Sequence, residues 1–139
     1  MTEEIKILNF SNIKFIDDRF FIENRISSYE MIGGCDALLT DYSSIYSDYL
    51  LCDKPIGLIW QDIDEYSKNP GLIKEYEFVC SGGVKIYTCA ELCNFFDDVY
   101  VGNDALRKQR NMLLPYIHCS KLPDNTKRVT DYIIKTASL

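Results

Sequence analysis

The stretch that decides the fold is Asp36-Ala-Leu-Leu-Thr-Asp-Tyr-Ser-Ser-Ile-Tyr-Ser-Asp-Tyr49. It opens with a short apolar run of the kind found in a buried strand of a parallel sheet. Small or polar residues follow at 40–44. After them Ile45, Tyr49 and Cys52 recur at the spacing of one helix face. The stretch therefore predicts a strand, a tight turn and a helix.

A turn between a strand and a helix can hold a phosphate group. The first backbone N–H groups of a helix lack internal partners, and the helix dipole favours negative charge there. Ser43 and Ser44 would add two hydroxyl donors. The alternative is that they serve only as N-caps, the commonest role of serine in front of a helix. The residues alone leave both readings open.

The rest of the chain predicts strands alternating with helices. Predicted strands cover 5–10, 13–16, 37–40, 55–60 and 84–87, and predicted helices cover 26–34, 44–52, 62–68, 90–100, about 103–118 and the chain after 125. Predicted N-caps are Ser27 or Ser28, Asn103 or Asp104, and Asn125 or Thr126. Alternation of this kind predicts an α/β fold with a parallel sheet.

In parallel sheets ligands bind at the carboxyl ends of the strands. Three polar groups fall at such ends in the predicted fold: Asp17-Asp18, the segment 40–44, and Gln61-Asp62. This placement favours a ligand site at the serine turn over a simple helix cap.

Composition limits the class of protein. The 139 residues are 47% apolar and 26% charged, which predicts one globular domain without an internal boundary. The net charge of −6 argues against a general nucleic-acid binder, which needs Lys and Arg on phosphates. We expect neither a signal peptide nor a transmembrane helix, because no long apolar segment follows the acidic N-terminus.

Cysteine and histidine do not suggest a metal site. The six cysteines are scattered through apolar segments, and His118 is the only histidine. We therefore expect reduced, mostly buried thiols and no metal. His118 lies at the predicted end of a helix, which favours a surface or helix-terminus role.

The segment Thr40-Asp41-Tyr42-Ser43-Ser44, with Asp48-Tyr49-Leu50-Leu51 and Asp53-Lys54-Pro55-Ile56-Gly57, resembles the CDP-glycerol glycerophosphotransferase family. The family builds or primes wall teichoic acid and related polymers. Further similarity lies at 12–18, 29–33, 62–66, Gly71 and, more loosely, 125–129, so that the resemblance covers roughly residues 12 to 135.

The resemblance implies a fold and a set of binding residues. The family has the two-domain GT-B fold, and residues 1–139 look like a single partial domain, the second half of the Rossmann-like, nucleotide-donor-binding C-terminal domain. Ser43 and Ser44 match positions expected to contact the donor diphosphate, and Thr40 and Asp41 match the turn that shapes the pocket. Asp48 falls where a ribose-binding acid is plausible, although an acid one turn into a helix is also favoured by the dipole. No cofactor is implied.

The resemblance also implies an activity. The chain would be the donor-binding fragment of a transferase that moves glycerol phosphate, or a related polyol phosphate, from a CDP-activated donor. The acceptor would be a membrane-anchored teichoic-acid-type or glycan polymer. The full enzyme would be cytoplasmic, at the inner face of the membrane. The family's His-Pro motif is missing, so we expect no catalytic residue here and no turnover by the fragment alone.

Two other classes of function compete with this one. A non-catalytic interaction module with a vestigial phosphate pocket stays open as the main alternative. A signalling receiver would use the acidic pair Asp17-Asp18 and a phosphoacceptor at Asp41. Too few residues separate them, and the expected Ser/Thr-Ala pair and lysine are missing.

Half of a parallel sheet exposes an edge that is internal in the parent fold. Exposed strand edges pair readily with other chains. The sequence therefore predicts self-association of the fragment, through an edge around residues 13–16 and 5–10.

Overall fold

The computed structural model describes residues 11–71, 73–118 and 124–137, which fall into two compact units, Met1–Cys35 and Asp36–Leu139. The predicted strand at 5–10 lies outside the described residues.

The described part of the first unit holds two short helices, α1 (Asp18–Asn24) and α2 (Ser28–Gly34). Ser27 caps α2 in a reciprocal capping box. Its Oγ accepts from the Glu30 amide at 3.1 Å, and Glu30 Oε2 accepts from the Ser27 amide at 2.7 Å. The predicted helix at 26–34 is confirmed with a start at Ser28, and of the two predicted N-caps, Ser27 or Ser28, the cap is Ser27.

The predicted strand at 13–16 is wrong. These residues belong to no strand, and Asp17 is instead the N-cap of α1, with Oδ1 accepting from the Phe20 amide at 3.2 Å. A four-residue apolar run does not by itself specify a strand. Here Ile13 is 51% exposed, so the run is not buried as a sheet strand would be. Asp17 and Asp18 therefore do not stand at a strand end.

The second unit contains an open parallel sheet of three strands, in the order β1-β2-β3. The strands are β1 (Leu38–Thr40), β2 (Ile56–Ile59) and β3 (Val84–Ile86), and Leu39 pairs with Gly57, which in turn pairs with Val84. The helices are α3 (Ile45–Tyr49), α4 (Ile63–Tyr66), α5 (Tyr76–Val79), α6 (Cys89–Val101), α7 (Arg107–Ile117) and α8 (Asn125–Ala137). Short 3₁₀ turns at Leu50–Cys52 and Cys80–Gly82 and a π-helix at Ser67–Gly71 complete it. The predicted α/β class is confirmed.

Both faces of the sheet are covered. On one face Gly57 leaves room for neighbours, since a Cβ there would lie 2.9 Å from Leu39 Cδ1 and 3.1 Å from Phe95 Cε1 of α6. The opposite face carries the fully buried Leu58, next to Gly83 and the ring of Tyr46. The chain thus builds a layered, Rossmann-like arrangement with the carboxyl ends of β1 and β2 at one edge.

Neither of the last two helices has its predicted N-cap. The N-cap of α7 is Leu106, and neither Asn103 nor Asp104 caps it. The Asn103 side chain donates to Asp98 Oδ1 at 2.7 Å, and the Asp104 carboxylate pairs with Arg110, a 2%-exposed guanidinium. Both polar side chains are therefore engaged elsewhere. α8 begins at Asn125, so Asn125 and Thr126 lie inside the helix and the prediction that one of them is its N-cap is wrong.

An ion pair ties the loop before β2 to α7. Asp53 has a left-handed backbone (φ 52°), and its Oδ2 accepts from Arg107 Nε at 2.9 Å and Nη2 at 2.7 Å. Asn111 Nδ2 adds a third bond, to Oδ1, at 3.2 Å. These hydrogen bonds, chiefly those from Arg107, hold the pKa of Asp53 below its ordinary value.

Within the described ranges no helix combines the length and the apolar character needed to cross a bilayer.

Candidate functional site

The turn after β1 is built by its own side chains. Asp41 Oδ1 accepts from the Ser43 amide at 3.1 Å, which is an Asx turn, and it brings the chain into α3. Ser43 Oγ lies 3.4 Å from the Ile45 amide, at the outer limit of a hydrogen bond. Ser44 occupies the N-cap position with helical dihedrals (φ −62°, ψ −14°), and its side chain makes no capping bond. The turn is thus held by Asp41 more than by the serines.

The expectation of free amides at the start of α3 is wrong for three of them. The Ile45 amide faces Ser43 Oγ, the Tyr46 amide donates to Ser43 O at 3.2 Å, and the Ser47 amide donates to Ser44 O at 2.9 Å. The helix is also only five residues long before it tightens into a 3₁₀ turn. Donors for an anion must therefore come mainly from the two exposed serine hydroxyls.

The serine turn forms one wall of a cleft of about 300 Å³. Its lining is mostly aromatic, aliphatic or hydroxylic and comprises Asp41, Tyr42, Ser43, Ser44, Tyr46, Ser47, Tyr66, Gly71, Ile73, Tyr76, Val79 and Cys80. The described lining includes no Lys or Arg, and Asp41 adds a carboxylate. The cleft by itself therefore offers hydroxyls and ring surface to a ligand, and no cation.

The rings of Tyr42, Tyr66 and Tyr76 form the opposite wall, and Trp60 packs on them without lining the cleft. Tyr42 stacks on Tyr66 with ring centroids 4.0 Å apart, and Trp60 stacks on Tyr76 at 5.3 Å. The two stacks meet where Tyr42 lies 5.9 Å from Trp60, and Lys85 Nζ lies 4.8 Å from the Trp60 ring centroid. Because these rings pack on one another, the cleft has a stiff, apolar side.

Two polar groups of the cleft, the Cys80 thiol and the Tyr76 hydroxyl, are not suited to catalysis. Burial raises the pKa of the Cys80 thiol, so it stays neutral and is a poor nucleophile. Burial also raises the pKa of the Tyr76 hydroxyl, which lies beside Cys80 and has no hydrogen-bond partner of regular geometry among the described residues. Neither group is suited to acid–base work near neutral pH.

The structure brings three of the five predicted binding residues together. Asp41, Ser43 and Ser44 line the cleft. Thr40 is the last residue of β1, and Asp48 lies inside α3; both are half-buried and stand outside the described lining. The assignment of Asp48 to a ribose and of Thr40 to pocket shape therefore stays a prediction.

His118 has a structural position. It is the C-cap residue of α7, and its Nε2 lies 2.8 Å from the Ser47 carbonyl oxygen in α3. The prediction of a helix-terminus role is confirmed. Among the described residues, no group of three or more His, Cys, Asp or Glu side chains is placed to hold a metal ion.

The aromatic wall was not predicted from the sequence. Tyr66 and Tyr76 come from the chain after β2 and reach the cleft only through the tertiary fold. One signal was available, since Asp62 falls at the predicted end of β2, and the Tyr42 hydroxyl does donate to Asp62 Oδ1 at 2.6 Å. The predicted convergence of segments 40–44 and 61–62 is confirmed by this bond.

The sequence profile of the CDP-glycerol:poly(glycerophosphate) glycerophosphotransferase family matches residues 10–135. The chain belongs to this family. The matched range contains the whole cleft, including the serine turn and the aromatic wall.

The chain is similar to two teichoic acid glycerol-phosphate primases. A teichoic acid glycerol-phosphate primase of Bacillus spizizenii strain W23 is 40% identical over 53 residues, which is 38% of this chain and 14% of the relative. A protein of the same name from Bacillus subtilis strain 168 is 28% identical over 76 residues, 55% of this chain and 20% of the relative. The chain therefore spans no more than a fifth of either relative. No solved structure matches the chain significantly.

Proposed function

We propose that this chain is the donor-binding part of a transferase that moves glycerol phosphate, or a related polyol phosphate, from a CDP-activated donor. The acceptor is a membrane-anchored teichoic-acid-type or glycan polymer. Family membership supports the reaction class. The binding role is supported chiefly by the exposed hydroxyls of Ser43 and Ser44, which face the cleft. Ser44 makes no side-chain capping bond, and the contact of Ser43 with the Ile45 amide is long, at 3.4 Å.

The chemistry follows from phosphoryl transfer. The acceptor hydroxyl attacks the β-phosphorus of the donor, the P–O bond to the α-phosphate breaks, and CMP leaves with the negative charge. Catalysis then rests mainly on positioning and on stabilising charge. In this proposal the serine hydroxyls donate to the diphosphate, and the general base and the cationic groups come from outside residues 1–139. By this proposal the chain alone turns over no CDP-glycerol.

The order of the strands supports the place of the chain in a larger domain. A Rossmann-like sheet runs 3-2-1-4-5-6, so each of its halves, the second included, has three parallel strands in sequential order. The order β1-β2-β3 fits that half. As the family resemblance implies, we propose that the chain lies in the C-terminal domain of a GT-B enzyme that works in the cytoplasm at the inner face of the membrane.

A non-catalytic role remains the second candidate. Three amides of the turn are already bonded, and the described lining carries a carboxylate and no cation. Both facts lower the affinity for phosphate. In this reading the pocket is vestigial and the chain docks on a partner.

Calorimetric titration with CDP separates the two candidates. We expect binding with a Kd of about 1 mM, or about −4 kcal/mol, because hydroxyl donors are present and counter-charge is scarce. Emission from Trp60, the single tryptophan, gives an independent signal from the aromatic wall. Cytidine, which lacks phosphate, is the control and should bind more weakly still. Equal affinity for cytidine and CDP would support the vestigial pocket. So would the absence of CDP binding at CDP concentrations several times the expected Kd.

Self-association is a further expectation. The edge first predicted at 13–16 is not a strand, but β1 is a terminal strand of the described sheet, with Leu39 38% exposed. An edge strand of this kind pairs with another chain. Sedimentation should show a concentration-dependent dimer. A clean monomer at high concentration, with rapid amide exchange along β1, would contradict this.

A further inference from the structure

Tyr42 joins the two walls of the cleft. It sits in the serine turn, next to Ser43, yet its side chain is held by the chain that follows β2. The hydroxyl donates to Asp62 Oδ1 at 2.6 Å, and the ring stacks on Tyr66 with centroids 4.0 Å and planes 24° apart. One residue therefore fixes the serine turn against α4 by a hydrogen bond and by ring packing together.

Asp62 is used in an unusual way. It occupies the N-cap position of α4, where an aspartate normally accepts from the amides of its own helix. Its side chain makes no such capping bond, although its backbone oxygen accepts from the Tyr66 amide at 2.9 Å. The carboxylate instead receives the Tyr42 hydroxyl. The contact between the walls thus takes the place of a local capping bond.

The segment that Tyr42 holds supplies much of the opposite wall. Tyr66, Gly71, Ile73 and Tyr76 all follow Asp62 in the chain and all line the cleft. Between them lies the π-helix Ser67–Gly71, which ends at Gly71 with φ +95°. This π-helix is only five residues long, and a helix this short is marginal without tertiary contacts. Its position therefore depends on anchors at its ends.

We propose that Tyr42 is a positioning residue of this cleft: through Asp62 and Tyr66 it fixes the 62–71 wall against the serine turn, and a nucleoside diphosphate binds only to the closed pair of walls. The inference rests on the proposed function for the identity of the ligand. Tyr42 touches the wall and not the reacting atoms. Loss of its hydroxyl therefore acts on ligand affinity through wall position.

The hydroxyl serves as a permanent donor. Burial, followed by the bond to the Asp62 carboxylate, raises the pKa of Tyr42 far above neutral pH. The proton stays on the oxygen under physiological conditions, and the Tyr42–Asp62 bond persists across them. A role for Tyr42 as a general base is excluded on the same ground.

The test compares Tyr42→Phe with Tyr100→Phe, which makes the same chemical change at a 91%-exposed site on α6. Tyr42→Phe keeps the ring stack and removes the hydroxyl. We expect several-fold faster amide hydrogen exchange at 62–71 and about tenfold weaker CDP binding, the size of effect for a lost bond to a charged group. Tyr100→Phe should change neither. Asp62→Ala should reproduce the Tyr42→Phe result, and Asp62→Asn, which keeps an acceptor oxygen, should restore most of it.

The two proposals fail separately. If the unsubstituted chain binds CDP but Tyr42→Phe matches it in affinity and in exchange at 62–71, the positioning role is overturned and the proposed function stands. If the unsubstituted chain binds no CDP, the proposed function is overturned, and hydrogen exchange still decides whether Tyr42 holds the wall. Additive effects of Tyr42→Phe and Asp62→Ala in the double variant would also contradict the coupling, because partners in one bond should be non-additive.

Discussion

The chain carrying Ser43→Ala and Ser44→Ala is expected to lose measurable CDP binding while its stability changes by less than about 0.5 kcal/mol. The structure gives a physical reason for this separation. Ser44 makes no side-chain capping bond, and the Ser43 contact with the Ile45 amide is long, at 3.4 Å. Removing these hydroxyls takes little from the helix but takes the main donors from the cleft. Calorimetry with CDP and thermal unfolding measure the two effects.

Ser27→Ala is the matched control, because Ser27 is a true N-cap in a capping box. It should cost about 1 kcal/mol of stability and leave CDP affinity unchanged, the reverse of the pattern expected for the cleft pair. If the cleft pair behaves like Ser27→Ala, both serines are helix caps and the vestigial pocket gains support. In the full-length enzyme the same pair should lower turnover far more than it lowers the melting temperature.

Local signals predicted most of the second unit. The strands β1, β2 and β3 lie within the predicted ranges because a short apolar run bounded by turn residues is a local property. In the first unit the cap of α2 was predicted at Ser27 or Ser28 for the same reason, since Glu30 lies near the start of the helix. The serine turn and its place at a strand end follow from the same kind of pattern.

The features that were missed depend on contacts far apart in sequence. The aromatic wall exists because Tyr42 meets residues 20 or more positions later, such as Asp62. The state of the turn amides depends on how tightly the chain enters α3, which no spacing shows. The strand predicted at 13–16 is wrong for a related reason. An apolar run forms a strand only where its backbone can pair with another strand, and residues 13–16 pair with no strand among the described residues.

The start of α7 was placed too early for a similar reason. Asp104 is a good capping residue by type, but its carboxylate is bound to Arg110, six residues later. Arg110 is 2% exposed, and no hydrophobic pattern marks an arginine as a core residue. Because the Asp104 carboxylate pairs with the buried Arg110 guanidinium, it does not cap α7. The capping signal that Asp104 gives in the sequence was therefore misleading.

Asp104→Ala is expected to destabilise the chain by about 3 kcal/mol, the largest effect on stability that we predict. Asp104 supplies the charge that balances the buried Arg110 guanidinium. Without it Arg110 keeps one long bond, from Nη1 to the Gly82 carbonyl at 3.4 Å, and its Nε already lacks a hydrogen-bond partner among the described residues. An unpaired buried charge is costly because no solvent replaces the lost partner. Chemical denaturation measures the change in the free energy of unfolding.

Asp97→Ala is the control for this prediction, since Asp97 is an exposed acid on α6 and should shift stability by less than about 0.5 kcal/mol. The double variant Asp104→Ala/Arg110→Leu separates the charge from the loss of packing. It removes both charges and fills the site with an apolar side chain, so it should be more stable than Asp104→Ala alone. If the double variant loses as much stability as the single variants Asp104→Ala and Arg110→Leu lose together, Arg110 contributes through the packing of its aliphatic stem.

Asp104→Ala should also weaken CDP binding. Arg110 Nη1 donates to the Gly82 carbonyl, and the Gly82 amide donates to the Tyr46 hydroxyl at 3.2 Å. Loss of the Asp104 ion pair should therefore loosen Tyr46 in the cleft wall.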